Sequence, residues 1–143
     1  MSPHSTTFGA PHQLLDFHSW VTRREFTPAG VRIFSNIMEE WNVDPENACL
    51  LLGSISTRYY RQLKDRPEGR VLSADRLYRI SYLVGIYKAL RILYGENLGN
   101  RFVHLPNSNR LFAGSTPLSY MIEGGLSAMQ KVRRLLDARV VGN

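Results

Sequence analysis

The sequence predicts an all-α fold, and three observations carry that expectation. Apolar residues recur at three- and four-residue spacing through most of the chain, the period of a helix with one buried face. Helix-starting pairs (Thr27-Pro28, Asp44-Pro45, Thr116-Pro117) and helix-ending glycines (Gly53, Gly95) punctuate that pattern. No segment of useful length alternates at period two as a strand would, and there is no internal repeat or low-complexity tract. At 143 residues, 43% hydrophobic and 21% charged, the chain fits one domain or two small helical units sharing a core.

The elements follow in order. The first ten residues, with Pro3, Gly9 and no periodicity, read as a loose tail. From His12 to Arg24, Leu14, Leu15, Phe17, His18 and Val21 fall at helical spacing. Thr27 is an N-cap type and Pro28 suits the first helical position, so a helix is expected to begin there, with Val31, Phe34, Ile37, Met38 and Trp41 inward. Asp44-Pro45-Glu46 repeats the signal, and Gly53 stops a short helix after Leu50-Leu51-Leu52. Another short helix is expected from Ser56 to Asp65, ahead of Arg66-Pro67-Glu68-Gly69.

The longest helix is expected over 73–94, where Ser73 can cap, Asp75 suits the positive end of the dipole and Gly95 can end it. Its main stripe is Leu77, Ile80, Val84, Tyr87, Leu90 and Tyr94, widened by Tyr82, Leu83, Ile86, Ala89 and Leu93. A helix apolar on more than one side is buried centrally or packed in a dimer. Gly85 in its interior costs about 1 kcal/mol against Ala, which points to a close helix contact there. After Gly95 come a brief helix over 97–105 with Phe102 and Val103 inward, a turn at Pro106-Asn107-Ser108-Asn109, and a helix from Thr116-Pro117 through Ile122. Gly124-Gly125 breaks that helix, and the last runs from Leu126 to Arg139 with Met129, Val132, Leu135 and Leu136 inward and Arg133 and Arg134 outward. The expected organisation is therefore 1–25 (tail and first helix), 26–72 (helix-turn-helix-like), 73–95 (central helix) and 96–143 (C-terminal unit).

The net charge of +6 is unevenly spread. Residues 1–46 carry three basic and six acidic side chains, residues 47–101 ten and four, and residues 102–143 five and two. A basic middle suits a phosphate backbone. Within it, NACLLLGSISTRYYRQLK (47–64) has the layout of a helix-turn-helix: a short apolar helix, a Gly turn, then a second helix. That second helix displays Arg58, Tyr59, Arg61, Gln62 and Lys64, with Ser56 or Ser54 as its cap. In a major groove Arg and Gln pair with base edges, Lys with phosphates, and a capped helix start offers backbone N–H groups to a phosphate.

Signals for chemistry are thin. His4, His12, His18 and His104 are scattered without carboxylates at ligand spacing, so no metal site is expected. Cys49 is the sole cysteine, which excludes an internal disulfide and a Cys-built zinc site and suits a core position. Glu39 and Glu40 are helix neighbours about 100° apart and make no acid/base dyad. There is no phosphate loop or dinucleotide fingerprint, so no catalytic residue and no cofactor are expected. The longest uncharged apolar stretch, Tyr82 to Tyr87, falls far short of the roughly 20 residues that span a bilayer. The start lacks the basic and apolar regions of a secretion signal, and a cytoplasmic, non-membrane protein is the expectation.

The C-terminal third has the most distinctive order of residues. Phe102 is followed by Leu105-Pro106-Asn107, Phe112-Ala113-Gly114, Thr116-Pro117-Leu118, Met121, Glu123-Gly124-Gly125 and a last helix through Val132 to Leu136-Asp137. That series resembles the toxin-binding domain of the Xre/MbcA/ParS antitoxins over about residues 77–139, and the segment before it resembles their N-terminal Xre-type domain. Two features depart from the family pattern: Phe102 stands where Trp is frequent, and the leading tail is long. The resemblance implies an antitoxin of a type II toxin-antitoxin system that dimerises. Its partner would be a RES-domain toxin that consumes NAD⁺ or ADP-ribosylates a target, and with that toxin it would bind promoter DNA. Candidate toxin contacts are Asn107, Asn109, Arg110 and Phe112 in a turn-rich stretch, and Arg133, Arg134 and Arg139 as a basic set on the last helix. A basic element can occupy a site that accepts the phosphates of NAD⁺ and so block it without chemistry of its own. The rival expectation is a stand-alone helix-turn-helix transcriptional regulator.

Overall fold

Five helices make up the computed structural model, which describes residues 16–142, and no strand occurs among those residues. They are α1 (Trp20–Glu40), α2 (Pro45–Leu51), α3 (Thr57–Asp65), α4 (Ala74–Phe102) and α5 (Pro117–Gly142). Each begins behind a side-chain oxygen that accepts a backbone N–H three residues on. Ser19 takes Thr22, Asp44 takes Asn47, Ser56 takes Tyr59, Ser73 takes Arg76 and Thr116 takes Ser119, at 2.8–3.4 Å. Such caps satisfy one of the orphan donors of a helix start and each contributes about 1 kcal/mol.

The all-α expectation holds, with the first helix boundaries corrected. Thr27-Pro28 does not start a helix: α1 runs through it from Trp20, and Ser19 is the cap. Proline inside a helix removes one donor and costs about 3 kcal/mol. Burial of Phe26, Val31, Phe34, Ile37 and Met38 along one face offsets that cost. Thr27 is fully buried, and its hydroxyl donates to Arg23 O (2.6 Å) and accepts from Leu72 N (3.0 Å). A residue that reads locally as a cap thus serves as a tie between α1 and the segment that leads into α4. The expected division at 25/26 falls inside α1. The tail over the first ten residues and residues 12–15 of the expected first helix lie outside the described residues, and Phe17 and His18, expected inside that helix, stand in a turn ahead of its cap Ser19.

α4 is broken where the sequence says it should be. Gly95 takes φ 80°, ψ −175°, a conformation other residues avoid. Residues nine apart in a straight helix lie about 13.5 Å apart along its axis. Here a Cβ on Gly99 would sit 3.0 Å from Leu90 O, so the chain folds back on itself at Gly95. Phe102 stacks on Tyr94 with ring centroids 5.4 Å apart, and Val103 is buried. α5 starts from this returning segment, Leu118 N donating to Val103 O at 3.0 Å. It breaks in turn at Gly125 (φ 65°, ψ −143°), and its second part runs along α4.

The direction of that last run follows from its contacts. Arg79 approaches Gly125, Gln130 donates to Tyr82 Oη (2.8 Å), Arg133 lies over Gly85, and Arg139 donates to Tyr94 Oη (3.0 Å). Both sets of residue numbers rise together, so the two helices are parallel. The suspected close contact at Gly85 is real, because a Cβ there would fall 2.5 Å from the Arg133 Cζ. One continuous core runs from Phe17 through Phe34, Trp41, Leu63 and Ile86 to Leu136.

Thr27→Val keeps the shape of the side chain and orphans the buried Leu72 N–H. We expect it to lower unfolding stability by about 1–3 kcal/mol, read by urea denaturation, with Thr27→Ser nearly wild type.

Candidate functional site

The turn between α2 and α3 is closed by one carbonyl. Cys49 O accepts from Ser54 N (2.9 Å) and Ile55 N (3.2 Å), while Gly53 and Ser54 take positive φ of 107° and 63°. Ile55 is buried and Ser56, the cap, restarts the chain as α3. Tyr60 and Leu63 point inward, the Tyr60 ring packing edge-on against Phe34. With that face committed, helical geometry sends Arg58, Arg61, Gln62 and Lys64 to solvent, and all four are exposed. Tyr59 is half-buried against the core, so only part of it is offered outward. Lys64 leans over the Tyr60 ring, its Nζ 4.4 Å from the centroid.

α1 adds groups the sequence pattern does not associate with this face. A cavity of about 190 Å³ lies between α1 and α3, lined by Val31, Arg32, Ser35, Asn36 and Lys64. Arg32 pairs with Glu68 beyond the end of α3. No local signal marks Arg32 or Asn36, because their neighbourhood is created by chain segments some thirty residues apart. Beneath the face, burial pushes the Cys49 thiol above its usual range; Glu46 reinforces this and Lys64 opposes it. Burial likewise raises the Tyr60 phenol.

The C-terminal set divides. Asn107 and Asn109 are turn builders: Asn107 Oδ1 accepts Asn109 N (2.8 Å), and Asn109 Oδ1 accepts Leu111 N (2.9 Å). Asn107 also exchanges backbone bonds with Gly114 and Ser115, so this loop is tied down rather than a loose partner arm. Phe112 is 2% exposed and packs edge-on against Tyr120, which corrects its expected role as an interface anchor. Arg133 is corrected too. Its side chain is 16% exposed, laid over Gly85 and the Tyr82 ring, near Asp137 (3.4 Å) and the Ser81 carbonyl (3.5 Å). Arg139 is half-buried on Tyr94. Arg110 and Arg134 remain exposed.

His104 reaches across the fold, its Nε2 2.5 Å from Trp41 O. Among the described residues no three His, Cys, Asp or Glu side chains gather as a metal-binding group, and no helix is long and apolar enough to cross a membrane.

Over 113 residues the chain is 32% identical to a protein of Sinorhizobium fredii (strain NBRC 101917 / NGR234) named "Uncharacterized protein y4oB", a match spanning 78% of this chain and 84% of that one. The chain belongs to the y4oB family. No family model and no solved structure matches it. A match covering 78% of a y4oB-family chain is longer than either α1–α3 or the C-terminal unit, so it embraces parts of both.

Two outcomes follow. Phe112→Ala should destabilise the fold by about 3–5 kcal/mol in a thermal or urea melt, the cost of emptying a core site. Cys49 and Tyr60 hold their protons more tightly when folded, so their contribution is complete below the unfolded pKa values, near 9 and 10, and fades as pH rises through the folded ones. Urea midpoints should therefore fall from about pH 9 upward, and Cys49→Ser with Tyr60→Phe should flatten that fall.

Proposed function

We propose that this protein is the antitoxin of a type II toxin-antitoxin pair, a homodimer that binds duplex DNA with α3 and neutralises a RES-domain toxin with its C-terminal unit. The observation that carries the DNA half is the outer face of α3. Arg58, Arg61, Gln62 and Lys64 stand exposed on a helix whose opposite face is fixed by Tyr60 and Leu63 and whose entry is a tight turn after a short helix. In the helix-turn-helix arrangement the second helix enters the major groove, where Arg and Gln read base edges and Lys meets phosphate.

The toxin half rests on the resemblance, supported by how the motif residues behave. Pro106-Asn107 forms the turn, Phe112 and Leu118 enter the core, Thr116-Pro117 starts α5 and Gly125 breaks it. Each motif position therefore has a structural job in a compact unit built against α4. Of the candidate toxin arginines, Arg110 in the turn and Arg134 on the last helix face outward, and they are the groups assigned here to the toxin. A guanidinium held at a site that accepts NAD⁺ phosphates excludes the substrate by charge pairing alone. The protein itself performs no chemistry in this mechanism.

The two halves separate by mutation. Arg58→Ala/Arg61→Ala/Lys64→Ala should abolish sequence-specific DNA binding and make the salt dependence of residual binding shallower by about 0.9 per lost phosphate contact. The same variant should still suppress NAD⁺ consumption by the toxin encoded beside it. Arg110→Glu/Arg134→Glu should do the reverse. A chain that binds DNA yet leaves the toxin's NAD⁺ consumption untouched is a stand-alone transcriptional regulator, and the antitoxin assignment then falls.

A further inference from the structure

The cavity between α1 and α3 has a polar mouth that the outer face of α3 does not account for. It measures about 190 Å³ and is lined by Val31, Arg32, Ser35, Asn36 and Lys64. On α1, Arg32, Ser35 and Asn36 stand three and four residues apart and so share one face. On α3, Lys64 is about 40° of helical phase from the inward Tyr60 and about 120° from Arg58. It therefore stands on the edge of α3 that turns toward α1. The basic set of α3 is split: Arg58 and Arg61 look outward, and Lys64 belongs to the flank.

The floor of the cavity is fixed. Val31 is buried, Ser35 is hydrogen-bonded to the Tyr60 phenol, and Lys64 covers the Tyr60 ring with its Nζ 4.4 Å from the centroid. The mouth carries two cations and an amide, Arg32, Lys64 and Asn36, all exposed. Two carboxylates stand at its margins: Glu39, one turn beyond Asn36 on α1, and Glu68, which pairs with Arg32. A carboxylate on a guanidinium takes the place a phosphate would take, because both offer two oxygens to the same fork. The Arg32 and Glu68 side chains are 57% and 64% exposed, and an ion pair so open to water is held weakly enough for a phosphate to displace the carboxylate. A helix lying in the major groove has a phosphate backbone along each side. For α3, the side toward α1 is where Arg32, Asn36 and Lys64 converge.

We infer that this cavity is a cradle for one backbone phosphate of duplex DNA, bound by Arg32, Asn36 and Lys64, and that Glu68 holds Arg32 in the phosphate's absence. The inference rests on the reading of α3 as a DNA-binding helix. It adds to that reading a sequence-independent anchor on α1 and a carboxylate that competes for it.

The full chain is titrated onto two fluorescent duplexes, one selected for tight binding and one unrelated, and followed by anisotropy. Arg32→Ala should weaken both by about tenfold and make the salt dependence shallower by about 0.9, the mark of a lost phosphate contact. Asn36→Ala should weaken both by about threefold, and Glu68→Gln should tighten both by about threefold. Arg32→Ala and Glu68→Gln break the same ion pair, so a merely structural pair would move both variants the same way, and that outcome overturns the proposal. Replacing backbone phosphates one at a time by uncharged methylphosphonates should reveal one position that costs the wild type about tenfold and costs Arg32→Ala nothing. The absence of such a position, or a loss confined to the selected duplex, overturns it as well. If Arg32→Ala and Asn36→Ala bind like wild type while Arg58→Ala/Arg61→Ala does not, the cradle falls and the DNA reading stands. If the wild type binds neither duplex, both fall. Calorimetry with inorganic phosphate separates the other source of the same chemistry: phosphate binding that needs Arg32, without any Arg32 effect on DNA, assigns the cradle to a free anion and refutes the backbone phosphate.

Discussion

The constraint on which the fold depends is the parallel packing of the last helix along α4. Two helices adjacent in sequence lie antiparallel when a short loop joins them; to lie parallel, the chain must first travel back the length of the first one. A helix from Ala74 to Tyr94 is about 30 Å long, and the returning segment has to cover that distance inside the same core. The break at Gly95, the backbone-on-backbone contact of Gly99 with Leu90, the hydrogen-bonded loop of Asn107 and Asn109, and the first part of α5 up to Gly125 accomplish the return. Phe112 and Leu118 belong to that path, which is why they are buried.

The same return joins the two ends of the molecule. Arg79, on the first turns of α4, binds Asp75 at 2.6 Å, donates to Leu51 O at the end of α2, and lies 3.3 Å from the Cβ position of Gly125. The helix that precedes the α3 turn and the break in the C-terminal helix thus share one guanidinium. The basic face of α3 and the exposed arginines of the C-terminal unit stand on one continuous hydrophobic core.

Within that core the arginines divide by location. Those at the α4–α5 seam, Arg79, Arg133 and Arg139, are packed, each spending its charge on a carboxylate, a carbonyl or a phenol oxygen of the fold. Arg58, Arg61, Arg110 and Arg134 stand in solvent, where a charge costs little to keep and is free to meet a ligand. Adjacent Arg133 and Arg134 differ by about 100° of helical phase, which puts one in the seam and the other in solvent. Burial, not residue type, sorts them.

Helix class, element order, the breaks at Gly95 and Gly125 and the exposed face of α3 were all determined by the sequence itself, because each rests on local physics: helical period, capping oxygens, glycine conformation and the phase of Tyr60 and Leu63. Other properties depended on neighbours that local spacing cannot name. Thr27-Pro28 reads as a helix start, but Leu72, forty-five residues away, supplies the N–H that makes Thr27 a buried tie inside α1. Phe112 and Arg133 read as outward anchors, yet the return path buries one and Gly85 admits the other. The seam in which Arg133 lies over Gly85 exists only because α4 and α5 run parallel. Direction of packing is a property of the whole chain path, and it was decided by the tertiary structure alone.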